Sequence, residues 1–293
     1  LAYSHDRVDI ASLSAQAYGA SLTGKGVYDV RSGAYEADAD VQGLDLSALP
    51  GVPAAVMGNL SASLHAAGNS QDGSIVVTGQ VKASDLSYNG LTVDTAAGDV
   101  AYDGRIVTLR SGHAEAGGGS VDVSGSYDVD SQTPHLTFTG HDLPLDMASP
   151  FVSLPLSGTA DLSGHVDGSQ WDVAFSASQG QIKGVPFDSL DGTARGQGSR
   201  IEIPALYWRR GDGTHVLTGQ ADLDARTVQA VLTTSHMRIE QLLPAVGKED
   251  LPLTGWADNT ITLSGSLDNP TASGSFRLSS GSYAGYLYKN ISA

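Results

Sequence analysis

Segment 263–285, LSGSLDNPTASGSFRLSSGSYAG, recurs earlier in the chain, and this repetition narrows the fold more than any local motif does. Segment 162–184 (LSGHVDGSQWDVAFSASQGQIKG) overlays it without a gap at Leu162, Ser163, Gly164, Asp167, Phe175, Ser178, Gly180 and Gly184. A fainter copy ends at Gly90, with Gly79, Val81, Tyr88 and Gly90 in the places of Gly274, Phe276, Tyr283 and Gly285. The intervening sequence repeats as well. Arg7, Arg105 and Arg200 each open an extended run, Gly26, Gly125 and Gly219 sit in the next, Asp29, Asp128 and Asp222 follow, and Pro50, Pro150 and Pro244 close the unit. The chain therefore reads as the tail of one repeat (1–50), two complete repeats (51–150 and 151–248) and the start of another (249–293), each module roughly 95–100 residues long. A module of this kind buries its apolar face against its neighbours, so an array is expected rather than a globule.

Within each module the pattern is that of antiparallel strands. Leu22, Gly24, Gly26, Tyr28 and Val30 alternate with Ser21, Thr23, Lys25 and Asp29, the period of two expected of a strand with one apolar and one polar face. In the second complete repeat this predicts strands near 156–166, 171–178, 185–195, 200–208, 214–222 and 228–237, and across the two complete repeats tight turns are expected at Asn89-Gly90, Asp103-Gly104, Asp191-Gly192 and Arg210–Gly213. Helical signal is confined to 239–246 (IEQLLPAV) and, faintly, to 145–150, where short plugs or spacers are expected.

With 5 Phe, 3 Trp and 3 Met but 36 Gly in 293 residues, the apolar content is carried by small and medium side chains, too little bulk for one thick core. The fold expected is all-β: an elongated antiparallel sheet curled across its strands into an open U-shaped groove, with Gly26, Gly125, Gly219 and Gly265 at the bends. Roughly eighteen strands about 4.8 Å apart would make a trough on the order of 85 Å long. The residues expected to face into it are Leu22, Tyr28, Val30, Val121, Val123, Tyr127, Val129, Val173, Phe175, Ile201, Ile203, Leu217, Leu223, Ile261, Leu263, Leu267, Phe276 and Leu278. The alternative is a structural or adhesive cell-surface β-solenoid whose alternating apolar residues fill a dry core and hold no lipid.

Several motifs resemble a known family. The turn G-x-L-D-N-P-x-x-x-G (Gly265, Leu267, Asp268, Asn269, Pro270, Gly274), the preceding Leu-Pro-Leu-Thr-Gly at 251–255 with LPLSG at 154–158, and the following Gly-Ser-Tyr-x-Gly-x-x-Tyr-x-Asn-Ile are similar to the periplasmic repeats of TamB and the wider AsmA-like proteins of diderm bacteria. The resemblance implies a "β-taco" that conducts phospholipids between the inner and outer membranes. It also implies an N-terminal inner-membrane anchor and a C-terminal partner, an outer-membrane barrel protein of the TamA type. Neither anchor nor docking domain is recognisable in this sequence, which reads as an internal stretch of such a bridge in the periplasm.

Other chemistries find less support. The 16 basic and 32 acidic residues give a net charge of −16, which opposes binding to nucleic-acid phosphates and to anionic membrane surfaces. There is no Cys for a disulfide or a thiolate metal site. No apolar run is long enough for a membrane span, and the first residues lack the pattern of a signal peptide. GASLTGKG at 19–26 approaches a phosphate loop, but Gly26 stands where a Ser or Thr is needed and no helix pattern follows, so a strand with Gly bends is expected. The eight His are read as not recurring at matching repeat positions, show no metal-ligand spacing and are expected on the solvent side. GGGSVD at 117–122 is a broken, single copy of a calcium nonapeptide and reads as a loop. Asp38/Asp40 and Asp222/Asp224 are placed as pairs on solvated strand faces, and Arg210-Gly211-Asp212 as a turn. No catalytic constellation and no cofactor site is expected.

Overall fold

The computed structural model describes residues 2–4, 6–50, 52–149, 155–182, 184–243, 247–248 and 250–293. The expected boundary residues Pro150, Phe151 and Pro244, and the end of the predicted 239–246 helix, lie outside these. The chain is all-β, 77% strand and 4% helix, and its antiparallel sheet is not closed into a barrel. It divides into two units, 1–141 and 142–293.

In the first unit the strands are β1 (Ala2–Ser4), β2 (Arg7–Ala17), β3 (Ala20–Asp29), β4 (Ala34–Asp45), β5 (Val56–Asn69), β6 (Ser74–Tyr88), β7 (Leu91–Tyr102), β8 (Ile106–Ala116), β9 (Gly119–Asp128) and β10 (Thr133–Pro144), whose last residues fall in the second unit. Each pairs antiparallel with the next. The second unit continues with β11 (Leu156–Asp167), β12 (Gln170–Ile182), β13 (Val185–Gln197), β14 (Arg200–Arg210), β15 (Gly213–Asp222), β16 (Thr227–Arg238), β17 (Leu253–Ser266), β18 (Pro270–Tyr283) and β19 (Tyr286–Ser292). Among the described residues each of these again pairs antiparallel with the next.

The turns between them follow from a few side chains. Asp29, Asp128 and Asp222 end their strands, and each accepts backbone N–H groups two or three residues on: Arg31 and Ser32, Asp130 and Ser131, and Ala225. That local hydrogen bonding is why an Asp recurs at this position. Single turns of 3-10 or α-helix at Leu46–Ala48, Leu145–Ala148 and Ile239–Leu242 follow β4, β10 and β16, so one interrupts every sixth strand. Each packs against the strand after it, β5, β11 or β17. Those three strands carry Gly58, Gly158 and Gly255 at φ +137°, +113° and +136°, each at a register shift. A Cβ at Gly158 would lie 2.8 Å from the Cα of Gly180, and one at Gly255 3.0 Å from that of Gly281, so the closing Gly of the LPLSG and LPLTG motifs permits both the bulge and the close approach.

One expected turn is not a turn. Asp191-Gly192 lies inside β13, where Gly192 leaves room for its cross-strand neighbours: a Cβ there would meet Phe175 Cζ at 2.9 Å and Leu206 Cδ1 at 3.0 Å. Asp191 faces the other way and accepts from Ser176 Oγ and Arg209 Nη1.

The units are thin. The chain exposes 17299 Å², against about 11,700 Å² for one globule of 30.1 kDa and about 14,100 Å² for two of half that mass. Two separate globules would expose less, so parts of the sheet lack a second covering layer.

Candidate functional site

Residues directly opposite across an antiparallel pair share a face, so the registers trace rows of side chains. In the first unit one row runs Leu13–Gly24–Ala39–Leu64–Gly79–Val100–Leu109–Gly125–Leu136 across β2 to β10. Beside it lies Ala15–Leu22–Val41–Ala62–Val81–Gly98–Gly112–Val123–Phe138. Neither contains a polar side chain. In the second unit the matching row is Leu162–Phe175–Gly192–Leu206–Leu217–Leu232–Ile261–Gly274. A second there is Val166–Trp171–Gly196–Ile201–Ala221–Val228–Gly265.

The opposite face is polar and exposed. Its directly opposed pairs include Lys25–Asp38, His65–Asp38, His113–Asp122, His165–Asp172 and Arg195–Glu202, and Arg209 reaches Asp191 diagonally, all within ion-pair distance. His65 also approaches Glu36 at 3.6 Å. At a hairpin end, Arg105 binds Asp128, and that guanidinium, aided by the Ser131 N–H, holds the Asp128 carboxyl down at about 2. The Ser32 N–H likewise lowers Asp29, and the Ala225 N–H lowers Asp222. Each unit thus has one apolar face and one charged one.

Of the residues expected on the apolar face, Leu22, Tyr28, Val121, Val123, Tyr127, Val173, Phe175, Ile201, Ile203, Leu217, Ile261, Leu263, Phe276 and Leu278 share it within their own unit. Val30, Val129, Leu223 and Leu267 lie just past strand ends instead, 47%, 44%, 52% and 37% exposed. Their N–H groups extend the ladders, to the carbonyls of Asp6, Arg105, Ser199 and Arg226 respectively. Leu206, Trp208 and Met237 are on the face but did not follow from alternation, because bulges between Ile203 and Leu206 and between Thr234 and Met237 shift the parity.

The depth of the face differs between units. In the first, the described buried apolar residues are only Ala20, Ala62 and Ala116, and the larger side chains are half-buried or exposed. In the second there are two packed clusters. Ala160, Ala177, Phe187 and Leu190 pack with Leu145 of the preceding helical turn, and Ile239, Leu243, Ala257 and Leu278 pack with Leu253, Phe276 and Tyr288. The helical turns therefore cap the apolar face locally, in keeping with the expectation of short plugs. An open recess of about 930 Å³ at the hairpin ends of β11 to β17 draws on the second of these apolar rows and on the polar face beside it, lined by Trp171, Ile201 and Val228 as well as His165, Arg195 and Gln229.

The remaining motifs resolve simply. GASLTGKG forms the turn at Gly19 and strand β3, and Gly117-Gly118 form the hairpin between β8 and β9. Arg210–Gly213 is a hairpin turn, whose Gly211 N–H binds Asp188. Asp222 closes β15, but Asp224 falls in the following turn, so these two are not a strand-face pair. His215 corrects the expectation of solvent-side histidines: it is 4% exposed, and burial pushes its pKa down to about 4. His65 and His165 also correspond in position, each seven residues beyond the bulge glycines Gly58 and Gly158. Among the described residues no three His, Asp or Glu side chains are grouped to hold a metal ion, and no helix is long and apolar enough to cross a membrane.

These features define an antiparallel β-sheet protein with one predominantly apolar face in each unit. No family model matches the chain, nor does any curated protein or solved structure.

Proposed function

We propose that the apolar face is a lipid-binding surface and that the chain is an internal segment of a conduit carrying phospholipids across the periplasm between inner and outer membranes. Acyl chains lie along the rows and each headgroup stays toward water. The observation that carries this reading is the pair of unbroken apolar rows across β2 to β10, on a sheet that exposes more surface than two globules of half its mass. An apolar face of this extent is unusual for a protein without an apolar partner. The motif resemblance to the TamB and AsmA-like proteins agrees with it. On that reading the full-length protein is anchored in the inner membrane and meets an outer-membrane barrel protein of the TamA type, and the segment performs no catalysis.

The packed clusters around Phe187 and Ile239 favour a second reading, a structural β array whose faces are filled by its own side chains. Val123→Asp in the first unit and Phe175→Glu in the second separate the two. On the conduit reading these substitutions abolish phospholipid co-purification and photo-crosslinking from neighbouring face positions. Undiminished lipid in both variants, or wild-type protein free of lipid by native mass spectrometry, refutes it.

A further inference from the structure

The apolar face of the second unit is interrupted once. Trp208, His215, Thr234 and Asn259 stand directly opposite one another across β14 to β17, in a row that begins Ala160–Ala177–Leu190 and ends at Phe276. On one side lies the Leu206–Leu217–Leu232–Ile261 row, and on the other Met237, Ala257 and Leu278, of which Met237 and Ala257 are 0% exposed.

Inside this apolar frame the polar atoms are under-used. His215 Nδ1 and Thr234 Oγ1 are 2.7 Å apart, and the His215 ring lies 4.6 Å from that of Trp208. Trp208 Nε1, His215 Nε2 and Asn259 Oδ1 are all buried without a hydrogen-bond partner, although His215 is 4% exposed and Thr234 2%. Native proteins seldom leave such atoms unpaired, and three in one row call for an explanation. The fold does not require them. Aligned by the Asp128 and Asp222 hairpins, the first unit carries Ala114 and Val121 at the places of Trp208 and His215, and Gly140 opposite Val121.

We propose that this row is a hydrogen-bonding notch for the uncharged hydroxyl of an acyl lipid, whether a hydroxylated acyl chain or an acylglycerol. A hydroxyl accepts from the Trp208 indole N–H and donates to His215 Nε2 of the neighbouring ring, which an ester carbonyl, acceptor only, does not do, and Asn259 Oδ1, two strands further on, offers an acceptor to a second hydroxyl. A charged group is excluded because no cationic or anionic side chain stands in the row, and the low pKa of His215 reports how poorly the site solvates charge. Trp208 and Asn259 are half-buried, so the row lies at the surface of the face, while its three unpaired atoms are themselves covered and become available to a hydroxyl when the neighbouring side chains move aside. The proposal rests on the reading of the face as an acyl-chain surface.

The test compares three oleoyl probes by native mass spectrometry titration: 1-monooleoylglycerol, 12-hydroxyoleic acid methyl ester, and methyl oleate, which has no hydroxyl. Wild-type protein is set beside His215→Leu/Asn259→Leu, whose apolar replacements keep the bulk of the row. The expected result is that wild type holds at least one hydroxylated probe about tenfold more tightly than methyl oleate, and that the double variant loses this preference while binding methyl oleate as before. Which hydroxylated probe is favoured distinguishes the glycerol from the chain source. Equal binding of all three by wild type, or a preference that survives in the variant, overturns the notch and leaves the acyl surface standing. Binding of no probe by either protein overturns the acyl surface and the notch with it.

Discussion

Gly125→Ala tests whether the apolar rows depend on strands held closer than side chains ordinarily allow. Gly125 is in β9, opposite Leu109 and Leu136, at φ +148°. A Cβ there would lie 2.0 Å from the His135 carbonyl oxygen and 2.8 Å from Leu136 Cα, both backbone atoms that no rotamer change removes. Restoring even 3.0 Å requires β9 and β10 to part by about 1 Å, enough to break the adjacent ladder bonds. Two such bonds at about 0.5–1.5 kcal/mol each, added to about 1–3 kcal/mol for the backbone conformation, give a cost of about 2–6 kcal/mol. Gly118→Ala is the control. Its φ is +91°, but nothing lies within 4 Å of the Cβ position, so only the conformational cost applies. In a repeat array stability is largely a sum of neighbouring interfaces, so the loss should stay local. Amide hydrogen exchange read by mass spectrometry should therefore show 119–144 opening about 5- to 150-fold more readily in Gly125→Ala than in Gly118→Ala, with β2 to β4 unchanged. Equal effects of the two substitutions, or wild-type protection of 119–144 in Gly125→Ala, would refute the close-approach argument.

Three further outcomes follow from the same structure. Phe187, 2% exposed and seated over Gly180, fills the cluster beneath Leu145, so Phe187→Ala should cost about 3–5 kcal/mol in urea unfolding of the second unit. Asp29, Asp128 and Asp222 have folded-state pKa values below that of the unfolded chain, so their contribution is complete above about pH 4 and is lost as pH falls through the folded values, about 2 for Asp128. Asp128→Asn keeps the turn acceptor but not the charge, and its melting temperature should fall less than that of wild type between pH 4 and pH 2. His215 has the opposite chemistry with the same sign: its folded pKa of about 4 lies below the unfolded 6.5, the unfolded chain takes the proton first, and stability falls by up to about 3 kcal/mol as pH drops from 6.5 to 4. His215→Leu should flatten that part of the stability profile, and a variant curve as steep as wild type would show that another group titrates.

The strands were legible wherever alternation ran undisturbed between turn residues: 156–166 and 200–208 became Leu156–Asp167 and Arg200–Arg210. What alternation does not carry is a change of parity. From Ile201 a strict period of two assigns Ala205 and Tyr207 to the apolar face, yet the bulge after Ile203 brings Leu206 and Trp208 there and turns Tyr207 outward. Pro204, which has no N–H for a ladder, was the available signal for that bulge. Asp191-Gly192 was misplaced for a related reason. The dipeptide has the chemistry of a turn, but here Gly serves the packing of Phe175 and Leu206, and only the cross-strand register reveals that demand. The notch was illegible because Trp208, His215, Thr234 and Asn259 come from four strands and share no sequence spacing.

The rows also bear on how a cargo would move along such a face. A ligand travels readily only where successive positions bind it with similar free energy, since any deep well becomes a resting place. Rows such as Leu13–Gly24–Ala39–Leu64–Gly79–Val100–Leu109–Gly125–Leu136 supply near-equivalent positions because the hydrophobic effect is non-directional and scales with apolar area. Hydrogen bonds are directional, and one unpaired donor or acceptor is enough to hold a complementary group at a single register. On the proposed reading, the Trp208–Asn259 row is therefore where a hydroxylated lipid would dwell while one without a hydroxyl passed on, so the same break in apolarity that selects a ligand would also slow it.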